Sequence, residues 1–178
     1  AEQMVQNIYP GAELKSFSVT DADDLYEPTT IELSYHVDDY MLNAAPYMLF
    51  RVPAATGSFE MLSDFLFGQL VGLPERKYPV ALGVTLGVDE KAEVALPDGF
   101  VVENLPDAVE FEAGAISLSI TYEHVPPEAG GGGLIRYNRR FGIDTFEITP
   151  ADYLNLKEAV KLAARSEKGE VILKREEG

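Results

Sequence analysis

Residues 76–106, RKYPVALGVTLGVDEKAEVALPDGFVVENLP, decide the fold class of this chain. Apolar residues at every second position over 80–88 have the period of a half-buried β-strand. The charged triplet Asp89-Glu90-Lys91 predicts a short polar break, after which the alternation resumes over 93–96. The first half of the stretch therefore predicts two strands separated by a turn.

A second turn, with a clear physical basis, is predicted at Pro97-Asp98-Gly99. Proline presets φ, aspartate can bond nearby backbone groups, and glycine permits a positive φ. Residues 100–105 then predict another strand, which ends at Pro106. Because strands joined by short turns pair with each other, we expect an antiparallel meander.

The same alternation appears on both sides of this meander. The most regular amphipathic strand is predicted over 31–37, where Ile, Leu, Tyr and Val alternate with polar residues. Residues 1–12 are expected to form a lead-in that turns at Pro10-Gly11. Further strands are predicted over 13–20, 47–52, 109–111, 115–123, 134–141, 143–148 and 170–174.

Two segments have helical character. Thr149 predicts a helix cap and Pro150 the first helical position, and an apolar stripe continues this helix over 150–165. Residues 58–73 fit both helix and strand spacing, and their length favours a second helix near 60–71. We expect the second helix to cap the core, and an exposed apolar docking element is the alternative.

Together these patterns predict a mainly β fold, an antiparallel β-sandwich with one C-terminal helix. The chain is expected to form one module over residues 1–178, or two tightly packed halves that meet near 73–78. It begins with alanine and turns almost at once, so we expect it to be a piece of a longer protein.

Composition narrows the functional classes. The net charge is −16, from 30 acidic and 14 basic residues, which argues against nucleic-acid binding because that requires neutralisation of phosphates. The chain has no cysteine, which excludes disulfides, thiolate nucleophiles and cysteine-bound metals. No apolar run approaches the roughly 18 residues of a membrane span, so we expect no membrane insertion.

Asp21, Asp23 and Asp24 are the candidate metal ligands. Their spacing is similar to that of an EF-hand loop, but this chain has tyrosine where the loop needs glycine at its sixth position. A looser Ca²⁺ site on the three aspartates and backbone carbonyls is the metal site that the pattern allows. His36 and His124 are expected to be surface residues rather than a metal-binding pair.

No pattern supports catalysis. The G-x-S-x-G motif of serine hydrolases is absent from the sequence, and no pair among the acidic residues stands out as a glycosidase pair. Tyrosine rings can stack on sugars, but Tyr35, Tyr47 and Tyr122 fall in phase with apolar neighbours, which favours core packing. We therefore expect neither enzyme activity nor a cofactor.

An ordered set of short motifs resembles a known family region. The motifs are R-x-x-P-hydrophobic, L-P-x-G-aromatic, V-E-x-L-P and a helix start that carries a tyrosine. Their order and spacing resemble the region after the transglutaminase-like core in large bacterial exported proteins, and the match extends over residues 76–175. The residues that carry the motifs are Arg76, Pro79, Pro97, Gly99, Pro106 and Tyr153.

The resemblance implies a non-catalytic accessory module in the periplasm or outside the cell. Such a module would pack on, position or regulate a transglutaminase-like core of the same chain. The core uses a Cys-His-Asp arrangement, and because this chain has no cysteine we carry over no catalytic residue. The alternative is a module that binds carbohydrate or another cell-envelope ligand. Arg76 is expected to pair with a carboxylate and hold the start of the meander, with ligand binding as its alternative role.

Overall fold

A computed structural model describes residues 2–9, 11–20, 29–52, 70–127 and 133–176. The chain divides into two compact units, residues 1–40 and 41–178. The predicted junction at 73–78 lies inside the second unit, and the single-module organisation stays a prediction. The helix predicted near 60–71 falls almost entirely outside the described residues.

The first unit contains a short helix and a hairpin. Helix α1 (Glu2–Ile8) precedes strands β1 (Glu13–Val19) and β2 (Ile31–His36), which pair antiparallel. The strand expected over 31–37 is therefore confirmed. The expected lead-in at the N-terminus is wrong because the segment forms α1, a helix too short to show a clear period in the sequence. Its stability comes instead from packing, since Val5 is fully buried.

The second unit contains ten strands and one helix among its described residues. They are β3 (Leu42–Ala44), β4 (Tyr47–Phe50), β5 (Val80–Ala81), β6 (Leu86–Ala95), β7 (Phe100–Asn104), β8 (Val109–Ala113), β9 (Ile116–Val125), β10 (Leu134–Ile143), β11 (Glu147–Ile148), α2 (Pro150–Ser166) and β12 (Val171–Arg175).

Antiparallel pairing organises these strands into three sheets. A central four-stranded sheet has the order β6-β10-β9-β8, a second has the order β3-β4-β12-β7, and β5 pairs with β11. Helix α2 packs on β8 and β9 of the central sheet. The mainly β fold with a C-terminal helix is thus confirmed. The core lies between α2 and one face of the central sheet and includes Ile116, Leu118, Ile120, Phe141, Ile143, Tyr153, Leu156, Val160 and Ala163.

Helix α2 begins where the sequence predicts. Thr149 Oγ1 accepts a hydrogen bond from the Asp152 backbone N–H at 3.1 Å, and Pro150 stands at the start of the helix. Tyr153, Leu156 and Val160 are buried against the sheet, as the apolar stripe predicts. The cap and the stripe depend on neighbouring residues only, so the sequence alone predicts them.

The central meander differs from its sequence pattern in one important respect. The expected break at Asp89-Glu90-Lys91 is wrong, because β6 runs through it without interruption. Glu90 points into the core and accepts a hydrogen bond from Arg139 Nε at 2.6 Å. The interruption lies earlier, between β5 and β6, where Gly83 adopts a φ of 75°. The turn at Pro97-Asp98-Gly99 is confirmed, and Gly99 also has a φ of 75°.

Candidate functional site

The most deeply buried charged group among the described residues is Arg139. Its side chain is 1% exposed, and it lies on the core face of β10. Nε donates to Glu90 Oε2 at 2.6 Å, and Nη1 donates to Glu167 Oε1 at 3.0 Å. Because Glu90 lies on β6 and Glu167 follows α2, this network connects β10 to the neighbouring strand β6 and to the C-terminal end of α2.

The surroundings of this network suit a structural role. The Arg139 guanidinium lies 6.0 Å from the centre of the Tyr137 ring. Burial raises the pKa of the Tyr137 phenol, and nearby Arg139 opposes that rise. The phenol is therefore harder to deprotonate than an exposed one. A buried arginine bound by carboxylates is not placed to receive a substrate. We therefore assign Arg139, Glu90 and Glu167 a role in stabilising the fold.

The opposite face of the central sheet is polar and carries cross-strand ion pairs. Arg136 lies between Glu93 and Glu123, at 3.0 and 3.2 Å, and Arg140 Nη2 lies 2.9 Å from Asp89 Oδ2. The hydrogen bonds that Arg136 donates to Glu93 and Glu123 raise the pKa of its guanidinium. These arginines therefore form no free basic surface.

A shallow recess lies at the β8 side of this polar face. Its volume is about 230 Å³. Ser119 Oγ donates to Glu110 Oε1 at 2.7 Å within it. The recess is lined by Glu110, Phe111, Glu112, Ser117, Leu118, Ser119 and Arg140.

Arg76 and Tyr153, two of the motif residues, come together at the start of α2. The Arg76 guanidinium lies 5.2 Å from the centre of the Tyr153 ring, and Nη2 donates to the Leu70 carbonyl at 3.2 Å. Tyr153 Oη in turn donates to the Leu73 carbonyl at 2.6 Å, and Lys157 Nζ donates to the same oxygen at 2.7 Å. The expected carboxylate partner of Arg76 is absent from the part of the chain that the structure describes. A backbone carbonyl and an aromatic ring take its place.

The other motif residues lie at separate points of the second unit. Pro97 and Gly99 form the turn between β6 and β7, and the Gly99 carbonyl accepts a hydrogen bond from the Glu176 N–H at 2.9 Å. Pro106 packs closely on Gly169, just before β12, and Pro79 directly precedes β5. The six motif residues thus lie in turns and packing contacts, and they do not converge on one site.

The candidate metal ligands gain no support from the described geometry. Asp21, Asp23 and Asp24 lie outside the described residues. His36 Nε2 lies 3.0 Å from Asp38 Oδ1 on the surface of the first unit, whereas His124 is partly buried on β9 rather than exposed. Across the described ranges, no group of three or more His, Cys, Asp or Glu side chains could hold a metal ion.

Three tyrosines cluster in the first unit. The rings of Tyr9 and Tyr35 stack with their centres 6.1 Å apart, and the Tyr40 ring meets Tyr9 edge-on at 5.3 Å. Each of the three is only partly buried. Tyr122 instead packs on Tyr137 in the second unit, at 5.2 Å between ring centres, as its phase with apolar neighbours predicts.

Exposed apolar side chains gather around the short β5–β11 sheet. Tyr78 is 80% exposed, Phe146 66% and Val84 53%. The Phe146 carbonyl accepts hydrogen bonds from the N–H groups of residues 82 and 83, which places its backbone beside the segment between Tyr78 and Val84. We call Tyr78, Val84 and Phe146 the apolar rim. The local sequence does not predict the apolar rim, because exposure at these positions depends on how β5 and β11 pair.

The fold and these contacts define a mainly β module. The family described as "Domain of Unknown Function with solved-structure structure (DUF3858)" matches residues 56–173, and the chain belongs to that family. No curated protein and no solved structure matched the chain. No helix within the described ranges is long and apolar enough to span a membrane.

Proposed function

We propose that this chain is a non-catalytic accessory module. It packs on, positions or regulates a transglutaminase-like core of the same parent protein, in the periplasm or outside the cell. The order of the motif residues supports the link to such a core. The observation that carries the proposal is the apolar rim, because large exposed aromatic and aliphatic side chains are typical of surfaces that other proteins cover.

The experiment adds the module in trans to the transglutaminase-like core expressed from the same reading frame. Binding is measured by calorimetry, and the rate of the core is measured with and without the module. We expect association, with a changed rate or substrate preference of the core. If the wild-type module neither binds the core nor alters its activity, the proposal fails.

The rim is tested by the double variant Tyr78→Ser and Phe146→Ser. Central aromatic side chains often carry most of the binding free energy, so we expect the affinity for the core to fall by about tenfold or more. Leu42→Ser is the matched control, because Leu42 is 67% exposed but lies on β3, in a different sheet. Binding that survives loss of both rim aromatics would place the contact elsewhere.

A module that binds carbohydrate or another cell-envelope ligand is the second candidate. The cluster of Tyr9, Tyr35 and Tyr40 favours it, because partly exposed tyrosine rings are surfaces on which sugar rings stack. We expect binding on an array of envelope glycans that Tyr40→Ala abolishes and Tyr47→Ala preserves. An array with no binding would reject this candidate.

A further inference from the structure

The β8 edge of the central sheet offers backbone groups that no described strand uses. β8 is the last strand in the order β6-β10-β9-β8. Ala113 pairs with Ile116 across a two-residue turn, so these two residues form a hydrogen-bonded pair. Because such pairs alternate along a ladder, the backbone N–H and C=O groups of Glu110 and Glu112 point away from β9. They point to the outer side of β8, where the described residues place no strand.

The side chains on this edge carry negative charge without a compensating cation. Glu110 and Glu112 share the polar face of the sheet and border the recess described above. Arg140, the cation of the recess, is bound to Asp89 at 2.9 Å. Within the described residues, no lysine or arginine lies within ion-pair distance of either glutamate. The edge therefore favours a ligand that brings positive charge.

The other face of β8 is apolar and incompletely covered. Val109 and Phe111 pack against the core cluster but remain only partly buried. Both have β9 on one side and no described strand on the other. An added strand would shield their exposed sides from water. The edge thus combines an acidic face, an apolar face and backbone groups that no described strand pairs with.

We propose that the β8 edge binds an extended basic segment of a partner protein as an added strand. Lysine or arginine side chains of the segment lie over Glu110 and Glu112, and the alternate apolar side chains pack beside Val109 and Phe111. The recess accommodates part of a basic side chain next to Ser119. This inference does not depend on the apolar rim or on the transglutaminase-like core.

Two alternatives for the edge are less favourable. Pairing with β8 of a second copy would bring glutamates of two chains together, and each chain has a net charge of −16. The opposite edge, β6, is less suited to a basic segment, because it presents Lys91. Its outward acids, Asp89 and Glu93, are already paired with arginines.

The test titrates the full ¹⁵N-labelled chain with a short synthetic peptide of alternating lysine and valine. We expect the amide signals of Glu110 and Glu112 to shift and their hydrogen exchange to slow, because their N–H groups gain acceptors. Two control peptides separate the contributions. One has glutamate in place of lysine, and the other has N-methylated backbone amides that cannot extend the ladder. Neither control should bind.

Variants then locate the contact. Glu110→Gln with Glu112→Gln keeps the shape of both side chains, and we expect it to weaken peptide binding by roughly fivefold or more. Glu103→Gln, at an exposed glutamate on β7, should leave binding unchanged. Failure of the lysine–valine peptide to bind would overturn the proposal. Equal binding of the N-methylated peptide would also overturn it, because that result would indicate a charge contact without strand addition. Slower hydrogen exchange confined to strands other than β8 would likewise overturn it.

Discussion

Arg139 is the residue on which the interior of the second unit depends most. Its charge lies out of water, and it donates hydrogen bonds to Glu90 and Glu167. Such a group is stable only while its partners remain, because an unpaired buried charge loses its hydration without compensation. The exposed pairs of the polar face differ in this respect, since water screens them.

We expect Glu90→Leu to destabilise the protein by about 3–5 kcal/mol, because it removes the buried carboxylate to which Arg139 donates in the core. Asp89→Leu is the matched control, since it removes the exposed pair with Arg140 and should change the free energy of unfolding by about 1 kcal/mol or less. Urea denaturation measures both changes. If the two variants were equally stable, the buried pair would have no special role.

Tyr35 provides a pH-dependent prediction. Burial raises the pKa of its phenol from 10.0 to about 12 in the folded state, with a smaller contribution from Tyr9. Between these values the unfolded chain releases the proton and the folded chain keeps it, so stability falls as the pH rises from 10 to 12. We expect Tyr35→Phe to lose stability less steeply over that range in thermal denaturation. Identical pH profiles for the two proteins would contradict the raised pKa.

At the scale of elements, the strands and the helix follow local patterns, but their junctions depend on close contacts. The segment between α2 and β12 is an example. A Cβ placed on Gly169 would lie 2.7 Å from Pro106 Cβ, closer than two carbon atoms can approach. Pro106 ends the central meander, so this contact fixes where β12 joins its sheet beside β7.

Gly169→Ala is expected to destabilise the protein by about 1–3 kcal/mol, because the rigid proline ring cannot move aside without shifting its own backbone. Gly72→Ala is the matched control, since a Cβ there meets no atom within 4 Å. Melting temperatures compare the variants. In the background of Pro106→Gly, which removes the contacted Cβ, Gly169→Ala should cost less stability, and an unchanged cost would argue against this clash as the cause.

At the scale of the whole molecule, the two units differ in their capacity to fold. The second unit has a large core between a helix and a four-stranded sheet. The first has one hairpin and one short helix, and its hairpin leaves Phe17, Val19 and Ile31 exposed. Isolated two-stranded hairpins are marginally stable in water.

We therefore expect the fragment 41–178 to fold alone with a cooperative thermal transition, and the fragment 1–40 to remain largely unfolded. Circular dichroism and dispersed amide signals in NMR spectra distinguish these outcomes. The full chain serves as the reference for both fragments. A fragment 41–178 without a cooperative transition would show that its core needs residues 1–40.

The sequence by itself determined the elements with strong local signals. Alternation predicted β2, β7, β9 and β10, and the cap at Thr149 with its apolar stripe predicted α2. The Pro97-Asp98-Gly99 turn was equally predictable, because its conformation depends on those residues alone. Helix α1 was missed for the opposite reason, since its seven residues are too few to establish a period.

Only the tertiary structure decided which charges are buried and which surfaces are open. Asp89-Glu90-Lys91 has the composition of a turn, yet it continues a strand. The reason is that Arg139, 49 residues later in the chain, donates a hydrogen bond to Glu90 inside the core. Arg76 likewise packs on the Tyr153 ring and donates to the Leu70 carbonyl, contacts that its motif does not predict. The apolar rim and the β8 edge could not be predicted either. Burial is a property of pairs of segments that are distant in sequence, and a local pattern contains no information about the second segment.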